Sequence, residues 1–115
     1  MDIKSQKAEE FALRTIKLHS YLNEKGEYVM SKQILRSGTS IGANIAESIY
    51  AESTDDLIHK LHISIKEASE TSYWLRLLHK SEFVDDRLYE SLQSDCQELI
   101  KILTAIINKL KSNRK

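Results

Sequence analysis

The chain has 115 residues, 41% of them hydrophobic and 30% charged, with three Gly and no Pro. That is material for one core and not two, so a single domain over residues 1–115 is expected, and many charges with few breakers point to long helices. Lys plus Arg equal Asp plus Glu at 17 each, which sets no basic or acidic domain apart.

No run approaches the roughly 18 to 20 apolar residues of a membrane span, and MDIKSQKAEE lacks the apolar core of a signal peptide. The lone Cys96 excludes an internal disulfide framework and suits a reducing compartment. A cytoplasmic protein that does not engage membranes is expected.

In chain order, Ala8, Phe11, Thr15, Leu18 and Leu22 alternate in steps of three and four, which places them on one stripe of a first helix running to about Lys25. Gly26 stops it, and GEYVM links to Ser31, read as the N-cap of the next helix. The second helix is expected to bury Ile34, Gly38, Ile41, Ile45 and Ile49, with Gly42 and Ala46 beside that line. Gly38, Gly42 and Ala46, spaced by four, leave a shallow groove for close approach of a neighbouring helix.

Ser53, Thr54, Asp55 and Asp56 can take up the free amides that open a third helix, whose stripe is Leu57, Leu61, Ile65, Ala68, Ser72 and Leu75. KSEFV breaks the pattern after His79. Asp85 can cap a fourth helix, with Val84 stapled onto Tyr89, and its stripe reads Leu88, Leu92, Cys96, Leu99, Leu103, Ile106 and Leu110. One narrow stripe per helix and short connections predict an all-α, antiparallel up-and-down four-helix bundle. Helices of about 25 residues, roughly 38 Å long, would make it an elongated rod.

A polar flank of Gln33, Ser37, Ser40 and Asn44 runs beside the second helix's stripe, with Arg36 and Glu47 further round. It reads as a polar seam between helices or subunits, or alternatively as a binding surface. The run from Arg36 to Glu47, RSGTSIGANIAE, resembles the signature of 23S rRNA-intervening-sequence proteins: Arg36, Ser40, Ile41, Asn44, Ile45, Ala46 and Glu47 match. Ser48 stands where that family often has Gly, and Gly38 and Gly42 where Ala and Pro are frequent.

The resemblance implies a ring-shaped homopentamer. It also implies kinship with the accessory protein of diversity-generating retroelements, a markedly basic ring that binds a reverse transcriptase and nucleic acid. The neutral balance of this chain argues against the same nucleic-acid role, because Lys and Arg supply most non-specific affinity for phosphates.

Apolar residues left off the stripes form a candidate oligomer interface: Leu13 and Ile16 on the first helix, and Ile63, Trp74 and Leu77 on the third. Lys109, Lys111, Arg114 and Lys115 complement the negative end of the last helix dipole, or form a nucleic-acid contact.

Catalytic and metal sites fare worse. His59, His62, His79 and His19 lack the inward Glu-x-x-His pairs of a bundle di-metal site, since Asp56-x-x-His59 alone comes near the pattern. Glu67-x-x-Glu70 and Glu82-x-x-Asp85 mimic the carboxylate pairs of magnesium-dependent nucleotide pyrophosphohydrolases, but the first pair faces away from the core and the second falls in the breaker. Ser72 and His79 are about two turns apart and cannot touch, and Cys96 sits on an apolar stripe. Tyr21, Tyr28, Tyr50, Tyr73 and Trp74 are read as packing residues not interleaved with Lys and Arg.

The sequence therefore predicts a non-enzymatic homo-oligomeric scaffold or accessory protein for a protein or nucleoprotein partner, with no cofactor, metal ligand or catalytic residue. Direct RNA or DNA binding through the basic C-terminus is the alternative, and the pyrophosphohydrolase comes third.

Overall fold

The structure, a computed structural model, describes residues 1–114. Its elements are α1 (Ile3–Glu24), α2 (Met30–Ser48), α3 (Thr54–Lys80) and α4 (Asp86–Asn113), and no strand occurs among the described residues.

Side chains at the turns set where each helix begins and ends. The Asp2 carboxylate accepts from the Ser5 N–H at 2.9 Å and opens α1. Hydrogen bonds from Lys4 and Ser5 hold that carboxyl well below the usual carboxylate range. Gly26, at φ +84°, closes α1 in the left-handed conformation, with the Glu27 N–H donating back to the Leu22 carbonyl at 2.9 Å. The same wrap ends α3, where Glu82 takes φ 68° and the Phe83 N–H donates to the Leu78 carbonyl at 3.0 Å. Ser53 caps α3 through the Asp56 N–H at 3.0 Å, and Asp85 caps α4 through the Leu88 N–H at 2.8 Å.

The start of α2 departs from the sequence reading. Ser31 is not its N-cap: the Glu27 carboxylate accepts from the N–H groups of Val29, Met30 and Ser31 at 3.2, 3.1 and 2.7 Å. A carboxylate with two oxygens satisfies three free amides where one hydroxyl would reach only one. Ser31 lies inside the helix, and its Oγ donates to Asn23 Oδ1 at 3.1 Å, tying α2 to the end of α1.

Cross-helix contacts show the antiparallel order directly. A Cβ added to Gly38 would meet Thr15 and one on Gly42 would meet Ala8, so later residues of α2 face earlier residues of α1. The same reversal relates α2 to α3, through Thr71 with Ser37 and Ser64 with Ile41, and α3 to α4, through Cys96 with Ala68 and Gln93 with Ser72. α1 and α4 close the square with the least extensive of the four seams, crossed by ion pairs Lys7–Glu98 and Arg14–Asp95 at 3.0 and 2.7 Å. The result is a four-helix bundle, a rod of 51 × 22 × 22 Å.

The core runs along the axis and includes Phe11, Leu22, Ile34, Ile41, Ile45, Leu61, Leu75, Leu99 and Leu103. Some stripe positions shift by one residue. Ile107 is buried where Ile106 was expected, because the steps of 3, 4 and 4 residues from Cys96 to Ile107 keep to a 3.6-residue turn better than a strict seven-residue repeat does. Ile58 replaces Leu57, and Ser64 replaces Ile65, since α3 must face both α2 and α4. Ile49 was expected in the core but is 74% exposed, because α2 ends at Ser48 and the chain turns away.

Candidate functional site

The polar flank of α2 resolves into two parts. Arg36 spans to α3, where it pairs with Glu67 at 2.9 Å and with Glu70, while the Trp74 Nε1–H donates to Glu70 at 3.0 Å. The Trp74 hydrogen bond, and then Arg36, lowers the Glu70 carboxyl below its ordinary value. Beneath them the buried Thr71 hydroxyl donates to Ser37 Oγ at 2.8 Å, and the buried Ser64 hydroxyl donates to the Ile41 carbonyl at 2.8 Å. Glu47 faces Lys60 at 3.6 Å. Arg36, Ser37 and Glu47 thus belong to a seam between α2 and α3 within one chain.

Ser40 and Asn44 bond within their own helix instead: the Ser40 hydroxyl donates to the Arg36 carbonyl at 2.6 Å and the Asn44 amide to the Ser40 carbonyl at 2.8 Å. Gln33 is half-buried.

The three small residues of α2 also divide. Gly38 packs against Thr15 and Gly42 against Ala8, whereas Ala46 is exposed. It lies instead in an open groove of about 500 Å³ between the outer faces of α1 and α2, with Met1, Ala12, Ala43 and Ile49. Elsewhere on α1, Leu13 and Ile16 are 55% and 48% exposed. These two members of the candidate interface therefore stand in solvent as the sequence reading required.

The other three do not. Ile63, Trp74 and Leu77 were read as surplus apolar residues facing away from the core, but all are half-buried, and Trp74 packs against the core edge. α3 carries a wider buried face than a single stripe because it contacts two helices along its length. Most of the exposed apolar surface lies on α1, α2 and the chain beside them.

What α3 does present is a second stripe that apolar pattern-reading passed over. Beyond Asp55 its exposed residues are His59, His62, Lys66, Tyr73, Arg76 and Lys80, with Ser69 between them. They recur in alternating steps of three and four, the spacing of one helix face. No carboxylate occurs among them, since Glu67 and Glu70 are turned toward Arg36. Tyr73 is 47% exposed, with Arg76 5.7 Å from its ring centroid and the Trp74 ring edge-on at 5.4 Å. Tyr73 is thus interleaved with cations, contrary to the sequence reading, and the signal was available to a search for charged rather than apolar periodicity.

Of the basic C-terminal residues, Lys109 and Lys111 are exposed, Arg114 is ion-paired with Asp55, and Lys115 lies outside the described residues. Three of the four carboxylates of the pyrophosphohydrolase reading are engaged elsewhere: Glu67 and Glu70 by Arg36, and Asp85 by the cap of α4. Among the described residues no three of His, Cys, Asp and Glu converge as a metal site would need. Burial pushes the Cys96 thiol up to about 12, and its Sγ donates to the Ala68 carbonyl at 3.2 Å. No described helix is long and apolar enough to cross a membrane.

Fold and signature together define a class, the all-α four-helix bundles with an RSGTSIGANIAE-type second helix. The chain belongs to the 23S rRNA-intervening sequence protein family, whose model matches residues 3–105. A solved structure of an S23 ribosomal protein family member from Bacteroides thetaiotaomicron, described as a protein of unknown function, is 52% identical with a TM-score of 0.90. The match covers 91% of this chain and 98% of that one. No curated protein matches the chain.

Proposed function

We propose that the protein is a non-enzymatic, homo-oligomeric scaffold or accessory subunit for a protein or nucleoprotein partner, and that its oligomer is the homopentamer implied by the family resemblance. The observation that carries this reading is the exposed apolar surface of α1 and α2, where Met1, Ala12, Ala43, Ala46 and Ile49 share one open groove and Leu13 and Ile16 of α1 are exposed as well. Small residues in the groove let another helix come near, and large apolar residues supply the area to bury. A second copy of the chain is the occupant this reading commits to, because a surface so apolar on a chain otherwise rich in charge is costly to leave in water.

Light scattering on the purified protein tests it. A mass several times the 13.3 kDa chain is expected, and Ile16→Glu combined with Ala46→Glu should yield a helical monomer. A wild-type mass of one chain would sink the proposal.

A further inference from the structure

We infer that the outward face of α3 is a docking stripe for single-stranded nucleic acid, held by Lys66, Arg76 and Lys80 on the phosphates with Tyr73 as a stacking platform. The inference rests on the accessory-protein reading above, because it names the chemistry of the partner.

Charge complementarity is the first argument. The net charge is zero, yet the exposed residues of α3 from His59 to Lys80 include three formal cations, two imidazoles and no carboxylate; Glu82, Asp85 and Asp86 lie near Lys80 at one end, so Lys66 and Arg76 carry the charge of the stripe. The segregation has a structural cause. Arg36 of α2 draws Glu67 and Glu70 to the α2 side of the helix, and without it both acids would neutralise the neighbouring cations. Arg36 is one of the matched signature residues, so the residue that marks the second helix also draws Glu67 and Glu70 away from the outer face of the third.

Geometry is the second argument. The stripe extends for about 32 Å at 1.5 Å per residue, enough to track several consecutive phosphates of a single strand. Tyr73 stands between Lys66 and Arg76, and its ring is half exposed and braced by the edge of Trp74. A braced aromatic between cations is the arrangement that stacks a base while the backbone is held alongside. An acidic protein segment would use the cations but would have no need of the ring.

The C-terminal cations make a poorer site. Arg114 is already paired with Asp55, and Asp56 lies beside it in the first turn of α3. The apolar groove is lined by residues of α1 and α2 and the chain beside them, and none of the stripe residues of α3 lines it. Display of several stripes in one assembly would multiply weak single-chain contacts by avidity.

The test is fluorescence anisotropy of the full chain with labelled single-stranded polyuridine across a salt series, with polyglutamate as the competing polyanion. Wild type should bind at low salt and release at high salt. Lys66→Glu with Arg76→Glu should weaken binding by about tenfold or more and, for each chain contacting the strand, flatten the salt slope by about 1.4. Tyr73→Ala should weaken binding about fivefold or more, whereas Lys109→Glu with Lys111→Glu should change it little.

Circular dichroism and thermal melting check each variant's fold, and Lys66→Gln with Arg76→Gln replaces the reversal if that one unfolds. No binding at low salt would overturn the inference, as would loss confined to the C-terminal variant. Polyglutamate displacing the RNA at equal charge, with Tyr73→Ala silent, would overturn it in favour of an acidic protein. Light scattering on the same samples separates the two readings. A monomer that binds through the stripe retains this inference and loses the oligomer, and an oligomer indifferent to RNA does the reverse.

Discussion

Two glycines of α2 face α1 and differ in what they can tolerate. At Gly38 a Cβ would come within 2.5 Å of Thr15 Cγ2, and Thr15 cannot swing aside freely because it is buried and its hydroxyl donates to the Ala12 carbonyl at 2.7 Å. At Gly42 a Cβ would rest 3.4 Å from the Ala8 Cβ, within van der Waals contact. Overpacking costs about 1 to 3 kcal/mol, and removing a helix-interior glycine returns about 1 kcal/mol. Gly38→Ala should therefore destabilise by about 1 kcal/mol and Gly42→Ala should stabilise by up to about 1 kcal/mol, read as opposite shifts of the urea midpoint at constant m-value. Equal shifts would show that space against α1 is not what distinguishes them. The Cys96 thiol, raised to about 12 by burial, should react with a thiol reagent roughly a thousandfold more slowly in the folded protein than in denaturant, and comparable rates would contradict its place in the core.

The α2–α3 seam is where helices meet through charge above and hydroxyls below. Because Glu70 has a lowered folded pKa, its contribution to stability is fully present above the unfolded carboxylate pKa of about 4.3 and is lost as pH falls through the folded value. Melting temperature should accordingly drop on acidification through that window, and by less in Glu70→Gln. An identical pH profile for the two would mean the Arg36–Glu70–Trp74 contact contributes nothing. Helix number, order and most core residues were legible in the sequence, because apolar spacing reports the buried face whatever it packs against. The start of α2 was not, since Glu27 caps it from outside the local Ser-first pattern and its role depends on a turn made by Gly26. Ile63, Trp74 and Leu77 were misplaced for a related reason. A helical wheel assigns one buried arc, and the width of the arc on α3 depends on Arg36, Ser37 and α4, which are distant in sequence.

Across the bundle, surfaces are segregated although the net charge cancels. Exposed apolar residues collect on α1, α2 and the chain beside them, and a stripe with cations and no carboxylate of its own on α3, which lies diagonally across the bundle from α1. The seam between α1 and α4 has a further consequence. Every other helix pair is adjacent in sequence and joined by a short turn, so its contacts close small loops, whereas α1 meets α4 only after the chain has gone all the way round. That seam is also the least extensive, and its cross-links are partly exposed ion pairs worth little each in water. The bundle is in effect a book bound along α2 and α3 whose covers are α1 and α4. Local opening, and the first exchange of protected amide hydrogens, belongs at the covers, leaving the spine closed.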